Sequence, residues 1–212
     1  MKTIMKVLAI NGSPRTDGNT AFALQTAMAA LNGEGIETEM ITIGQKVVRG
    51  CIGCGWCGEK QQKRCVFDDE VNTALPKMIE ADGLLLGSPV YYSGINGTMK
   101  SFLDRAFFVT GQNGNLMRLK VGAAVVAVRR SGGSTSFDQL NKYFLISEMA
   151  VAGSSYWNII HGLLPGEASQ DIEGTAVMSN LGRNMAWILK SLERNRNSRP
   201  AFERREMTNF IR

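Results

Sequence analysis

The sequence predicts a doubly wound α/β fold: a five-stranded parallel sheet in the order 2-1-3-4-5, with helices on both faces. Three observations lead there. Apolar runs of strand length recur along the chain, stretches of helical spacing separate them, and the loops that follow the runs are rich in Gly, Ser, Pro and Asn. In such a sheet ligands bind beyond the carboxyl ends of the strands. The loops to read are therefore those after Ile10, Gly87 and Val128.

The first run, Lys6-Val7-Leu8-Ala9-Ile10, has the pattern of a short buried strand, and a turn leads from it to Ala, Leu and Met at helical spacing over 20–31. A second strand is expected at 37–43. The acidic pair Asp68-Asp69 reads as the cap of a helix starting near Val71. A third strand at 83–87 ends in Ser88-Pro89 and is followed by a helix over 98–107, a strand at 121–128, a helix over 135–148 and a last strand at 150–157. A final helix over 172–192 leads into an arginine-rich stretch suited to reach a neighbouring subunit. One domain is expected over 1–195, with a cysteine-rich insert at 50–66 and a basic tail at 196–212. There is no internal repeat and no low-complexity linker.

Composition narrows the function classes. A chain of 212 residues with 44% apolar content supports one continuous core without covalent staples. The formal charge of +5 owes much to Arg194, Arg196, Arg199, Arg204, Arg205 and Arg212, a pattern of a solvated or subunit-contacting tail, so nucleic-acid binding is set aside. The early apolar run VLAI is too short for a signal-peptide core, and no stretch approaches the roughly 20 apolar residues of a membrane span, so a soluble protein is expected. The 4 cysteines fall between positions 51 and 65, unlike the dispersed frame of a secreted disulfide scaffold, and point to the cytoplasm.

The loop NGSPRTDGNT follows a buried strand and opens a helix. Amides at a helix N-terminus carry the positive end of its dipole, so the geometry suits a phosphate. Ser13, Asn19 and Thr20 add donors, Arg15 adds charge, and Gly12 and Gly18 let the backbone approach an anion. Neither G-x-G-x-x-G nor a Walker loop is present. After the third strand, Pro89 stiffens the chain while Tyr91 and Tyr92 bring aromatic faces to the sheet edge, and amides over 90–93 can hydrogen-bond the edge of a flat ring. The loop RRSGGST closes the other side of the same cleft. Lys100, Asp104 and Arg105 on the following helix read as structural polar contacts.

The cysteines are spaced Cys51-x2-Cys54-x2-Cys57-x7-Cys65. Three at successive short intervals can wrap one face of a cubane, and a fourth can complete the ligation of a [4Fe-4S] cluster. Gly50, Gly53, Gly55 and Gly58 allow a tight backbone path, and Lys60, Lys63 and Arg64 offset the negative charge of such a group. Three other readings stay open: a tetrahedral zinc site, structural thiols, and a thiol-disulfide switch. Trp56 reads as filling a local gap, with packing over a neighbouring subunit as its second reading, and the 11 methionines read as filling core and subunit contacts.

In order along the chain, GSPRTDGNT, GCIGCGWC with Cys65 and Asp68-Asp69, GSPVYYSGINGTMKSFLDR, and RRSGGST followed by GSSYWN resemble the NAD(P)H-dependent FMN reductase and multimeric flavodoxin group of the flavodoxin-like superfamily, which includes the iron-sulfur flavoproteins. The pieces span residues 5–162. The resemblance implies that Ser13, Arg15, Gly18, Asn19 and Thr20 hold an FMN phosphate. It implies that Pro89, Val90, Tyr91, Tyr92 and Ser93 lie against the isoalloxazine, with Arg130, Ser131 and Gly132 near its far side. It further implies a homodimer or homotetramer, chemistry centred on the flavin with no catalytic triad, and a cluster on Cys51, Cys54, Cys57 and Cys65 that exchanges electrons with FMN.

The function expected on this basis is that of an FMN-dependent oxidoreductase. It passes electrons from NAD(P)H or a ferredoxin-like donor to a quinone, free flavin or other small acceptor. The alternatives are an iron-sulfur/FMN electron carrier without small-molecule turnover, and a cysteine-based redox sensor. His161, the only histidine, reads as a structurally satisfied residue, with a place near the flavin edge as its second reading.

Overall fold

The computed structural model describes residues 4–203, 208 and 210. Arg204, Arg205 and Arg212 of the expected basic tail lie outside the described residues. The elements run β1 (Lys6–Asn11), α1 (Asn19–Gly33), β2 (Glu37–Thr42), α2 (Trp56–Lys60), α3 (Glu70–Glu80), β3 (Gly83–Tyr91), β4 (Gly94–Ile95), α4 (Gly97–Gln112), β5 (Val121–Val128), α5 (Gly133–Ile146), β6 (Ala150–Val151), β7 (Ile159–His161) and α6 (Ile172–Arg194). The main sheet has the order β2-β1-β3-β5-β6, which is the predicted winding with a short β4 added beside β3.

Period-two alternation along the strands divides the core. Leu8, Ile10, Leu84, Leu86, Ala124 and Val126 face one way and pack under α3, α4 and α5 through Leu75, Met78, Phe102, Leu103, Leu140 and Phe144. Val7, Ala9, Leu85, Ala123, Val125 and Ala127 face the other way, onto Leu24, Ala27 and Leu31 of α1 and Val177, Leu181 and Met185 of α6. All eight residues of β5 are buried, as a central parallel strand covered on both faces requires.

Two strand expectations are corrected. β3 does not stop at Gly87 but continues through Pro89 to Tyr91. β1 pairs with β3 only as far as Gly87, while β5 accompanies it to Pro89. The proline thus falls where one side of β3 has no parallel neighbour, and its missing N–H breaks no ladder there. The expected fifth strand at 150–157 is split. β6 pairs with the start of β5 at Val121 and Gly122, and β7 pairs with its end from Val126 to Val128. In between the chain swings outward, and buried Asn158 bridges the gap: its Nδ2 donates to the Ala124 carbonyl at 2.9 Å, and its own carbonyl accepts from the Val126 N–H at 3.0 Å.

The caps are local and follow the sequence. Asp69 caps α3 by accepting from the Val71 N–H at 3.1 Å, whereas Asp68 pairs with Arg64 on the surface. Asn96 caps α4 through the N–H groups of Thr98 and Met99. Asp171 caps α6, accepting from Gly174 N–H at 2.8 Å, and also accepts the backbone N–H of His161 at 2.8 Å, which fastens α6 to the end of β7. No helix among the described residues is long and apolar enough to cross a membrane.

Burial opposes ionisation of Asp171, but the N–H groups of Gly174 and His161 and the His161 ring outweigh it and hold the carboxyl below its usual range. Its contribution to stability is therefore complete above the ordinary carboxylate pKa and is lost as pH falls through the lowered folded value. Asp171→Ala should lower the unfolding free energy by about 1 to 2 kcal/mol near neutral pH. Urea titrations should show that deficit shrinking in acid, and a deficit independent of pH would contradict the assignment.

Candidate functional site: three strand-end loops and a cysteine hollow

The loop after β1 is fixed from below and open above. The Gly12 N–H donates to the Gly87 carbonyl at 2.8 Å, and the Ser13 N–H donates to Oδ1 of buried Asn11 at 2.9 Å. The Arg15 N–H donates to Ser13 Oγ at 3.1 Å, which leaves the hydroxyl proton of Ser13 free to be donated outward. Gly18 stands at the N-cap of α1 with no side chain to cover the first amides, and the first intrahelical bond is from Phe22 N–H to the Gly18 carbonyl. The N–H groups of Asn19, Thr20 and Ala21 are thus available to an anion. Thr20 is buried at the same end, and Arg15 is exposed beside it. Asn19 is partly committed elsewhere, since its Oδ1 accepts the Ala168 N–H at 3.2 Å.

Val90 and Tyr91 pair antiparallel with Ile95 and Gly94, so Tyr92 and Ser93 form a two-residue hairpin loop. Both have positive φ, 49° and 59°. This is the turn that Asn-Gly normally supplies, and holding Tyr and Ser there costs about 1–3 kcal/mol each. The strain holds Tyr92 fully exposed and Tyr91 about half exposed at the sheet edge. Gly132 closes the arrangement from the other loop. Its φ is +85°, and a Cβ there would lie 2.7 Å from Ser93 Cα and 3.0 Å from Val90 Cγ1. The loops after β3 and β5 therefore touch through a residue that must be glycine.

On the far side of the 130–134 loop lies a cleft of about 600 Å³, lined by Arg130, Ser131, Gly132, Tyr156, Trp157, His161 and Asp171 among others. Of the residues expected from sequence, it gathers Arg130, Ser131 and Gly132 but not the β1 loop or the tyrosine hairpin. Tyr156 and Trp157, in edge-to-face contact at 4.4 Å, reach it because the chain leaves the sheet between β6 and β7. His161 Nδ1 lies 3.3 Å from Asp171 Oδ2, which leaves Nε2 as the uncommitted ring atom. Another hollow, at the opposite ends of the strands, is lined by Lys6, Glu37, Glu39, Lys77 and Glu80 and lies away from every one of these loops.

The four cysteines are unpaired, and all four line one narrow hollow with Ile52, Val66, Phe67, Phe108, Val109 and Arg105. Gly53 and Gly55, at φ 64° and 73°, make the tight path between them. Burial pushes the Cys57 thiol up. Among the described residues no three Cys, His, Asp or Glu side chains are grouped to hold a single metal ion. The donor set suits a different species, since a four-iron cluster takes one thiolate per iron from ligands spread around it.

The insert is clamped by residues that sequence reasoning did not single out. Asn72 Oδ1 accepts the Cys65 N–H at 2.8 Å and its Nδ2 donates to the Cys65 carbonyl at 3.0 Å. Asn113 Nδ2 donates to the Cys57 carbonyl at 3.1 Å, and its Oδ1 accepts the Lys63 N–H at 2.9 Å. Trp56 packs against the core edge, as expected of a gap filler. Of the cations expected to offset the charge of the site, Lys60 pairs with Glu59 and Arg64 with Asp68 at the surface, and neither they nor Lys63 line the hollow, whose wall holds Arg105 instead. Helical spacing carried that signal, because Arg105 falls between Phe102 and Val109 on the buried stripe of α4.

Gly132→Ala tests the contact between the two loops. It should destabilise the fold by at least about 1–3 kcal/mol, the cost of a side chain in this backbone region, and hydrogen exchange should accelerate at 90–95. Wild-type exchange in that hairpin would show that the loops are not coupled through Gly132.

Comparison with known proteins identifies the family and the fold. A family model described as NADPH-dependent FMN reductase matches residues 5–163. An iron-sulfur flavoprotein of Methanocaldococcus jannaschii is 39% identical over 197 residues, covering 90% of this chain and 100% of that protein. An iron-sulfur flavoprotein of Methanosarcina thermophila is 29% identical over 194 residues, covering 91% and 99%. Among solved structures, a flavodoxin from the domain Archaea superposes with a TM-score of 0.58 at 16% identity over 88% of this chain and 99% of that one, a likeness of fold. The chain thus belongs to the NADPH-dependent FMN reductase family, FMN-dependent oxidoreductases built here on a flavodoxin-like fold.

Proposed function

We propose that this protein is an iron-sulfur flavoprotein oxidoreductase, with FMN at the carboxyl edge of the sheet and a [4Fe-4S] cluster on Cys51, Cys54, Cys57 and Cys65. It takes electrons from NAD(P)H or a reduced ferredoxin-like protein and passes them to a quinone, free flavin or other small acceptor. The observation that carries this reading is that four unpaired thiols line one hollow, in a chain whose strand-end loops leave a bare helix N-terminus and exposed aromatic rings.

The chain's residues divide the work by chemistry. Ser13, Arg15, Gly18, Asn19 and Thr20 bind the FMN phosphate through outward amides, hydroxyls and one guanidinium. Pro89, Val90, Tyr91, Tyr92 and Ser93 flank the isoalloxazine, and Arg130, Ser131 and Gly132 bound it from the β5 side. FMN, when bound, supplies hydride acceptance and one-electron transfer. The cleft beyond the 130–134 loop offers room for a small acceptor, with His161 held by Asp171 at its wall. Exposed Tyr156, Trp157, Trp187, Leu145 and Ile146 support a homodimer or homotetramer, and four reduced cysteines support a cytoplasmic setting.

Absorption spectra and iron and acid-labile sulfide analysis of protein purified without oxygen test the cofactor set. The expected result is bound flavin with about four irons per chain; flavin without iron removes the cluster. Cys54→Ala should lose the iron and keep the flavin. Ser13→Ala combined with Arg15→Ala should weaken FMN binding at least about 10-fold, since hydrogen bonds to charged groups contribute about 1.5–3 kcal/mol each. Unchanged FMN affinity would remove the phosphate assignment. Steady-state oxidation of NAD(P)H with a quinone separates an enzyme from an electron carrier, which would hold flavin but not turn over.

A further inference from the structure

Arg105 is the largest fully buried side chain among the described residues, 1% exposed, and its side-chain hydrogen bonds go to the cysteine insert and its border. Nη1 donates to Asp69 Oδ2 at 2.5 Å and to the Arg49 carbonyl at 3.4 Å. Nη2 donates to Asp69 Oδ1 at 2.9 Å and to the Phe67 carbonyl at 3.4 Å. Nε donates to Cys65 Sγ at 3.3 Å. These partners lie between residues 49 and 69, whereas Arg105 belongs to α4 and the scaffold.

We infer that Arg105 is the positioning residue of the cysteine hollow: it docks the insert on α4, holds Cys65 at the wall, and raises the reduction potential of the cluster. The last part rests on the cluster reading of the proposed function. The Asp69 fork and the two carbonyls take the four N–H groups on Nη1 and Nη2. The fifth donor of the guanidinium, the Nε–H, is directed at a cysteine sulfur rather than at a backbone carbonyl. A hydrogen bond to a ligand sulfur, with positive charge behind it, favours the more negative reduced state of an iron-sulfur centre. Asp69 neutralises the guanidinium from the side of Nη1 and Nη2, while Nε meets the sulfur directly. Phe67 lies within cation–π reach of both Arg105 (5.3 Å) and Arg49 (4.4 Å) and restricts the guanidinium to this orientation.

Arg105→Lys keeps the charge and the pairing with Asp69 but removes the fork and the Nε–H. In protein holding the cluster, loss of iron to a ferrous chelator should quicken, in line with the 10- to 100-fold weakening typical when a partner of a metal ligand is removed, about 10-fold or more. The cluster midpoint in a redox titration followed by electron paramagnetic resonance should move to lower potential, with flavin content unchanged. A merely structural clamp would speed iron loss without moving the midpoint. If Arg105→Lys fails to fold, the neutral pair Arg105→Gln with Asp69→Asn removes both charges together and should give the same two shifts. Wild-type iron retention and midpoint in the variant would overturn the inference. Iron-free wild-type protein would defeat the cluster reading separately. Hydrogen exchange over 49–69 then decides the docking role: faster exchange in Arg105→Lys, with α1 unchanged, supports it, and equal exchange overturns it.

Discussion

Parallel pairing of β1, β3 and β5 is the constraint on which the rest of this molecule depends. Strands that run the same way end at the same edge, so the loops after Asn11, Tyr91 and Val128 emerge side by side and must pack against one another. The backbone shows how closely. Gly12 N–H is bonded to the Gly87 carbonyl, and Gly132 approaches Ser93 with no room for a side chain. The β1 loop is thus anchored on β3 and the β5 loop on the tyrosine hairpin, so donors on one and aromatic rings on another stand at the same sheet edge. Two strained residues, Tyr92 and Ser93, are tolerated there because the β3–β4 pairing and Gly132 fix the hairpin on both sides.

The cysteine insert follows a different logic. It contributes few residues to the core and has only one short helix of its own, so its shape is imposed from outside. Asn72 from α3, Asn113 after the end of α4 and Arg105 within α4 grip its backbone at Cys65, Cys57 and Arg49. Burial would push Arg105 toward its neutral form, but the bonds to Asp69 and Cys65 outweigh it and raise its affinity for the proton. The hollow thus has a permanent cation in its wall, where thiolates would otherwise repel one another.

What the sequence made legible was local. Apolar runs marked β1, β3 and β5, the loop composition marked the bare end of α1, and Asp69 announced the start of α3. What it concealed depends on partners far along the chain. The split between β6 and β7 rests on Asn158 bonding to Ala124, 34 residues away. Arg105 reads as a structural polar contact, but its partners could not be named because Cys65 and Asp69 are 40 and 36 residues earlier. The Tyr92-Ser93 turn carries none of the Gly or Asn that normally signals positive φ, so its conformation was not readable from composition. Tyr156, Trp157 and His161 could be listed from sequence, but their shared cleft exists only because the fifth strand breaks.

The most direct test of this account is a crystal structure of the protein purified without oxygen, with anomalous diffraction recorded at the iron edge. The account predicts iron density within reach of Cys51, Cys54, Cys57 and Cys65, with Arg105 Nε on Cys65, and FMN whose phosphate meets the N–H groups of Asn19, Thr20 and Ala21. Iron at any other place, or a flavin phosphate bound away from the N-terminus of α1, would contradict it.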